Sequence, residues 1–392
     1  MFSSRFTWNL DTNALTQAVA GRRTAGLPVL DLTESNPARA GFAWPPEVLA
    51  AALSSADNTA YAPDPRGLPA TRQAVSGYYR ERGAAVSPEQ IHLSASTSES
   101  YGWVLKLLTN PGDAVLTPAP SYPLLQFLAA MECVRAVPYP LRYDNGHWRV
   151  DAAALEAALT PRTRAIFCVS PNNPTGSVLD ERDRAVLRDT ARRHGLVLVV
   201  DEVFLDFPAQ GEVARTWADE AETPLFVLSG LSKVALLPQL KLGWLVTTGP
   251  EAWRTEAIAR LDFIADTYLP VNTPAQHAAG EVLARAGTLR EALRRRTNAN
   301  EQTLREWCSR SAHGVSLLAR DAGWSAVLEL PRGILEEAAV LDLARHAGVL
   351  VHPGYFYDMP DDGPPHWVIS LIVPEPVLAA ALPLLEAALR RH

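Results

Sequence analysis

Short apolar runs rich in valine, leucine or isoleucine recur between residues 90 and 250, at 114–117, 133–137, 165–169, 196–200, 225–228 and 244–247. They show no polar-apolar alternation, which is the pattern of strands buried on both faces. Most are separated by enough chain to hold a helix. This order predicts an α/β fold with a mostly parallel central sheet and helices on both faces. Helical stretches are expected at 10–20, 69–82 and 101–108, with a short apolar run at 29–32. Beyond residue 250 the pattern changes to long helical stretches at 251–264 and 274–308. A strand at 325–330, a helix at 335–347, strands at 349–352 and 367–371 and a last helix near 377–390 follow. That second half predicts a smaller α+β domain. The expected division is a large domain over 46–285 and a small one built from 286–392, with 1–45 as its amino-terminal arm.

Composition agrees with two domains: 392 residues, 47% of them hydrophobic, suffice for two cores. The net charge of −7, with no basic run beyond Arg294-Arg295-Arg296, argues against nucleic acid as a partner. Cys133, Cys168 and Cys308 are widely spaced and form no CxxC pair, so free thiols are expected and no metal site. No run is long enough for a membrane span, and residues 1–8 lack a signal-peptide core, which places the chain in a reducing cytoplasm.

Ligands of such sheets bind beyond the carboxyl ends of the strands. Three successive strand ends carry polar chemistry there. The run 165–169 leads into Ser170-Pro171-Asn172-Asn173-Pro174-Thr175-Gly176; 196–200 ends at Asp201-Glu202; 225–228 ends at Ser229-Gly230-Leu231-Ser232-Lys233. Only three of the 36 basic residues are lysines, Lys106, Lys233 and Lys241. Lys233 is either a helix-start cation or an amine kept for its chemistry, since a desolvated lysine can form a Schiff base and an arginine cannot. Ser96 and Thr97 precede a helical pattern, where small hydroxyl residues act as caps or, with free backbone N–H groups, as an anion site. Glu34-Ser35-Asn36-Pro37 is a turn or a polar loop reaching into a site.

An amine, a carboxylate, an amide and a phosphate-binding helix start together suit pyridoxal phosphate. From about Glu34 to Ser370 the chain resembles the class I/II, fold-type I pyridoxal-phosphate-dependent aminotransferases. Asn173-Pro174-Thr175-Gly176 resembles the family's NPTG motif, with Asn173 toward the cofactor's phenolic oxygen. The resemblance implies that Asp201 pairs with the pyridinium nitrogen and that Lys233 forms the Schiff base and moves the α-proton. It places Ser96, Thr97 and Lys241 at the phosphate, and Tyr122 in stacking on the ring. Tyr61 would reach across a homodimer interface to the neighbouring site. His352-Pro353-Gly354 with Phe356 resembles the small-domain turn of the family.

The family function so implied is amino transfer from an amino acid to a 2-keto acid by a ping-pong cycle. A lyase on the same fold, eliminating from a sulfur amino acid, is the alternative, and a non-catalytic cofactor-binding sensor a more distant one. Two departures bear on this choice. Phe204 stands where many members place a tyrosine that bonds the phenolic oxygen, which predicts a Schiff base of higher pKa. Val368 stands where the family usually holds the arginine that clamps the substrate carboxylate. Either another residue supplies that charge, with Arg39 the first candidate and a solvated surface charge its competing reading, or the substrate is unusual; Asn36 and Arg39 are the candidate substrate-binding residues.

Overall fold

Strands form at all six apolar runs, and two further segments join them. In this computed structural model, which describes every residue except 1, 6, 7, 9, 55, 62, 212, 213 and 361, the strands up to residue 250 are as follows. They are β1 (Leu30–Asp31), β2 (Ile91–Ser94), β3 (Ala114–Ala119), β4 (Arg135–Asp144), β5 (His147–Val150), β6 (Thr163–Val169), β7 (Val197–Asp201), β8 (Leu225–Gly230) and β9 (Gly243–Thr248). Eight of them form one sheet in the order β2-β9-β8-β7-β6-β3-β4-β5. The middle of that sheet, β4-β3-β6-β7-β8, is parallel, whereas β9, β2 and β5 pair antiparallel at its margins.

Alternate residues of the inner strands enter different cores, as burial on both faces requires. Ile166, Cys168, Leu198, Val200 and Val227 pack on one side with helices Pro69–Arg80, Glu181–His194 and Thr273–Arg285. Ala165, Phe167, Val199, Phe226 and Leu228 pack on the other with helices Thr97–Leu108 and Glu251–Tyr268. In register, Val169 lies beside Asp201 and Asp201 beside Leu228, so the three polar strand ends leave the sheet at one edge.

The remaining strands are β10 (Ser316–Leu317), β11 (Ser325–Glu329), β12 (Val349–Leu350), β13 (His352–Pro353) and β14 (His366–Ser370). Four of them make an antiparallel sheet in the order β10-β11-β14-β13. It has its own core of Leu304, Leu328, Val340, Trp367, Ile369 and Leu385, to which Leu32 of the amino-terminal arm contributes. β1 pairs in parallel with β12 as a separate two-stranded sheet, and the Ser370 N–H of β14 donates to the Leu32 carbonyl, joining that arm to the small domain.

Several boundaries differ from those expected. The first helix is Ala14–Thr24, displaced because the Asn13 side chain caps it by accepting from the Thr16 N–H at 2.8 Å. The stretch 274–308 is two helices, Thr273–Arg285 and Gly287–Arg310, divided at Ala286-Gly287 where glycine weakens the helix interior. The stretch 335–347 ends in a π-type turn, Leu343–Ala347, stopped by left-handed Gly348. The run 349–352 divides between two sheets as β12 and β13.

Candidate active site

Beyond β6 the chain folds back on itself around Asn172. Its buried Oδ1 accepts from the Thr175 N–H (3.2 Å) and hydroxyl (2.9 Å), and its Nδ2 donates to the Pro120 carbonyl at 3.3 Å. Gly176 closes the loop with φ +69°, and a Cβ there would sit 2.3 Å from the Ala322 carbonyl oxygen, so only glycine fits. The loop so fixed turns Asn173 to the cavity wall, where the Ser325 hydroxyl donates to its Oδ1 at 3.4 Å.

At the end of β7 two neighbouring carboxylates part. Glu202 turns away into a buried pocket, accepting from the Thr216 hydroxyl and the Trp217 N–H, each at 2.6 Å. Burial pushes its carboxyl up to about 7. Asp201 faces the cavity, its Oδ1 accepting from the Val203 N–H (2.9 Å) and its Oδ2 from the Tyr101 hydroxyl (2.8 Å). Burial pushes Asp201 up to about 6, against the pull of those two donors and of the Lys233 charge. Tyr101 is itself buried and stacks on Phe167 with ring centroids 5.7 Å apart.

Past β8, the short helix Leu231–Val234 carries Lys233. Its Nζ lies 4.7 Å from the Trp324 ring centroid and 5.5 Å from that of Phe204, two rings packed edge to face. Among the described residues it has neither a hydrogen-bond nor an ion-pair partner. Burial lowers its pKa to about 8, with the Asp201 charge opposing. An amine of this kind is deprotonated far more readily than a surface lysine and is free to react.

Close backbone approach brings the start of helix Thr97–Leu108 to this lysine. Gly230 of β8 faces Gly243 of β9, and a Cβ on Gly243 would meet the Ser96 carbonyl carbon at 2.9 Å and the Thr97 nitrogen at 3.0 Å. Gly243→Ala is therefore expected to cost about 1–3 kcal/mol of stability by overpacking. It should also weaken cofactor binding about tenfold or more, at roughly 1.4 kcal/mol per tenfold. A thermal melt and a cofactor titration check both, and wild-type values in each would refute the close approach.

Thr97, Tyr122, Asn173, Asp201, Phe204 and Lys233 all line one cavity of about 310 Å³. The other expected site residues lie outside its wall. The Ser96 hydroxyl caps the helix, accepting from the Glu99 N–H at 3.3 Å, while the Glu99 carboxylate turns back to the Ala95 N–H. Lys241 is exposed at φ +51°, and Tyr61 is 72% exposed, beside Ala62, which lies outside the described residues. The Asn36 side chain accepts from the Ala38 N–H at 3.0 Å, and Arg39 is paired with Glu34 at 3.0 Å with its side chain 71% exposed. Thr33 and Ser35 of the same loop do line the cavity, as do Tyr101, Trp324, His352, Tyr357, Asp358 and Val368.

The family model for class I and II aminotransferases matches residues 28–368. This chain belongs to that family. The glutamate-pyruvate aminotransferase of Escherichia coli K12 is 32% identical over 286 residues, 72% of this chain and 70% of that protein. The arginine-pyruvate transaminase of Pseudomonas aeruginosa is 30% identical over 361 residues, 88% of this chain and 86% of that one. Among solved structures, an aminotransferase from Escherichia coli superposes with a TM-score of 0.87 at 26% identity, covering 100% of this chain and 98% of its own. The alanine aminotransferase of Pyrococcus furiosus shares the fold with a TM-score of 0.90 at 24% identity, both chains covered completely.

The aminotransferase thus has the fold-type I architecture expected from its strand pattern, and its cofactor is pyridoxal 5'-phosphate. The cavity's donor set fits that group: an unpartnered amine, a buried carboxylate, an amide, and a helix start that two glycines admit to the wall. Tyr101 could have been anticipated, because it lies four residues after Thr97 and so on the same helix face. Trp324 and Tyr357 carry no local signal, since long-range folding alone brings them in, whereas His352 lies in the turn that the resemblance marks.

Proposed function

We propose that this aminotransferase carries an amino group from an amino acid to a 2-keto acid in two half-reactions, with Lys233 as the point of covalent attachment and the proton carrier. The unpartnered Nζ of Lys233 on the cavity wall, in the same cavity as Asp201, carries this reading. Bound there, pyridoxal 5'-phosphate supplies an aldehyde that exchanges amines and a ring that takes up the electron pair released at the donor's α-carbon.

The chain's own groups divide the rest of the work. Asp201, oriented by Tyr101 and the Val203 N–H, holds its charge toward the ring nitrogen. Asn173 presents its amide to the ring oxygen, Tyr122 covers a ring face, and Phe204 adds packing but no hydrogen bond. Thr97, Ser96 and Lys241 serve the phosphate, the last two by backbone and by long-range charge. Lys233, with a pKa near 8, can both take and return a proton close to neutral pH.

Pyruvate is the acceptor we assign, because both relatives compared above are named for it. The working unit is a homodimer in which Tyr61 reaches the neighbouring site. Supporting this, Arg66 of the Tyr61 loop grips Asp262 at 2.6 Å, on the helix that exposes Phe263 and Tyr268. Three free cysteines support a cytoplasmic location.

A half-reaction decides the reading. Holoenzyme mixed with an amino donor alone should give aminated cofactor and keto acid in equal amounts. Release of pyruvate and ammonia with the cofactor unchanged would replace it with the lyase reading.

A further inference from the structure

The wall of the cavity remote from Lys233 is built by the small sheet, and its charge is unusual for a site that receives carboxylates. Val368 of β14 pairs with Val327 on one side and with His352 of β13 on the other. No arginine lines the cavity among the described residues; Lys233 and His352 are its only groups able to carry positive charge. Lys233 is committed to the cofactor. Burial lowers the pKa of His352, with Asp31 opposing, so its imidazole is neutral at pH 7.

His352 Nδ1 lies 2.9 Å from the Tyr357 hydroxyl, and its Nε2 has no partner among the described residues. A neutral imidazole and a phenol hold one proton each on these polar atoms. If the hydroxyl donates to Nδ1, the imidazole proton is on Nε2 and spare. If Nδ1–H donates, the hydroxyl proton is spare. Either way the pair presents one uncommitted donor. On the same wall Asp358 is exposed, its carboxylate accepting from Gln126, which also lines the cavity. A second carboxylate entering here would meet the like charge of Asp358.

We propose that this wall selects amino donors whose only carboxylate is the one at the reacting carbon, received by the His352–Tyr357 pair, and whose side chain is cationic or uncharged. Dicarboxylic donors such as glutamate are rejected, in contrast with what the name of the Escherichia coli relative states for that protein. The inference rests on the transamination reading and names the donor class of that same site.

Two measurements test it, one of them without turnover. Arginine, ornithine and glutamine are compared with glutamate and aspartate in the half-reaction. The first three should exceed the last two in kcat/KM by about tenfold or more, the size of one unmatched polar contact. His352→Phe should raise KM for every good donor about tenfold with kcat nearly unchanged, and His352→Gln, which keeps a donor, should recover most of that loss. Asp358→Asn should narrow the gap between arginine and glutamate. Calorimetry on the holoenzyme should detect hexanoate, weakened by His352→Phe, and not glutarate. Preference for glutamate, tighter binding of glutarate, or an unchanged KM in His352→Phe would overturn the proposal. If no donor gives aminated cofactor, the transamination reading falls, and the calorimetric comparison still decides the wall.

Discussion

Lys233→Ala is expected to lose turnover by at least about 10³-fold while leaving the fold intact. General acid/base assistance alone contributes roughly 10²–10⁴, and the proposed attachment of the cofactor at this residue would be lost as well. Stability should not suffer, because Nζ holds no hydrogen bond or ion pair among the described residues. Burial depresses the Lys233 pKa to about 8 from an unfolded value of about 10.4, so the folded chain binds fewer protons between those limits. Its favourable contribution is present above the unfolded value and is lost as pH falls through 8. The cofactor-free variant should therefore melt at or above the wild-type temperature at pH 7. Turnover within tenfold of wild type would remove Lys233 from the chemistry; a large drop in melting temperature would make its role structural.

Asp201→Asn is the second large effect, with kcat expected to fall about 10²–10³-fold, the cost of deleting one preorganised charge at a reacting group. Cofactor affinity should fall with it. In the amide, Oδ1 still accepts from the Val203 N–H and Nδ2 can donate to the Tyr101 hydroxyl, so the fold survives, whereas Asp201→Ala leaves both groups without this partner at about 1–3 kcal/mol. The pH dependence follows from the raised carboxyl. With a folded pKa near 6 and an unfolded one near 3.9, the contribution from burying the neutral acid is complete below the lower value and lost as pH rises through 6. The asparagine variant should flatten that part of the cofactor-free stability profile. Tyr101→Phe removes a donor that favours the ionised acid, so Asp201 should titrate higher and the acid limb of activity move to higher pH. Wild-type rate and cofactor affinity in Asp201→Asn would end the assignment of this carboxylate.

Much of this site was legible because the parallel strands carry it. Three apolar runs buried on both faces declare themselves by composition, and whatever follows their carboxyl ends must converge. Asn173, Asp201 and Lys233 follow from that geometry. β2 was not legible: His92 and Ser94 interrupt its apolar pattern, although both are fully buried. β4 extends to Asp144 through Pro138 and Pro140, residues that ordinarily argue against a strand interior. The far wall could be read only in part: the resemblance marks the His352 turn and the Val368 departure, but not Thr33, Ser35 or Tyr357. Thr33 and His352 are more than 300 residues apart, yet β1 and β12 bring their segments together, and no local pattern encodes that pairing.

That pairing has a further consequence. β14 is stitched to the arm by the Ser370 N–H donating to the Leu32 carbonyl and the Ser370 hydroxyl donating to the Glu34 carbonyl, each at 2.7 Å. Thr33, Ser35, His352 and Val368 therefore form one jaw, hydrogen-bonded into the small sheet, while Asp201, Asn173 and Lys233 belong to the large one. The two jaws are separately editable. Substitution can change which molecule is admitted without disturbing the groups assigned to the cofactor and the proton, so new donor preferences are open to this scaffold through the residues of a single jaw.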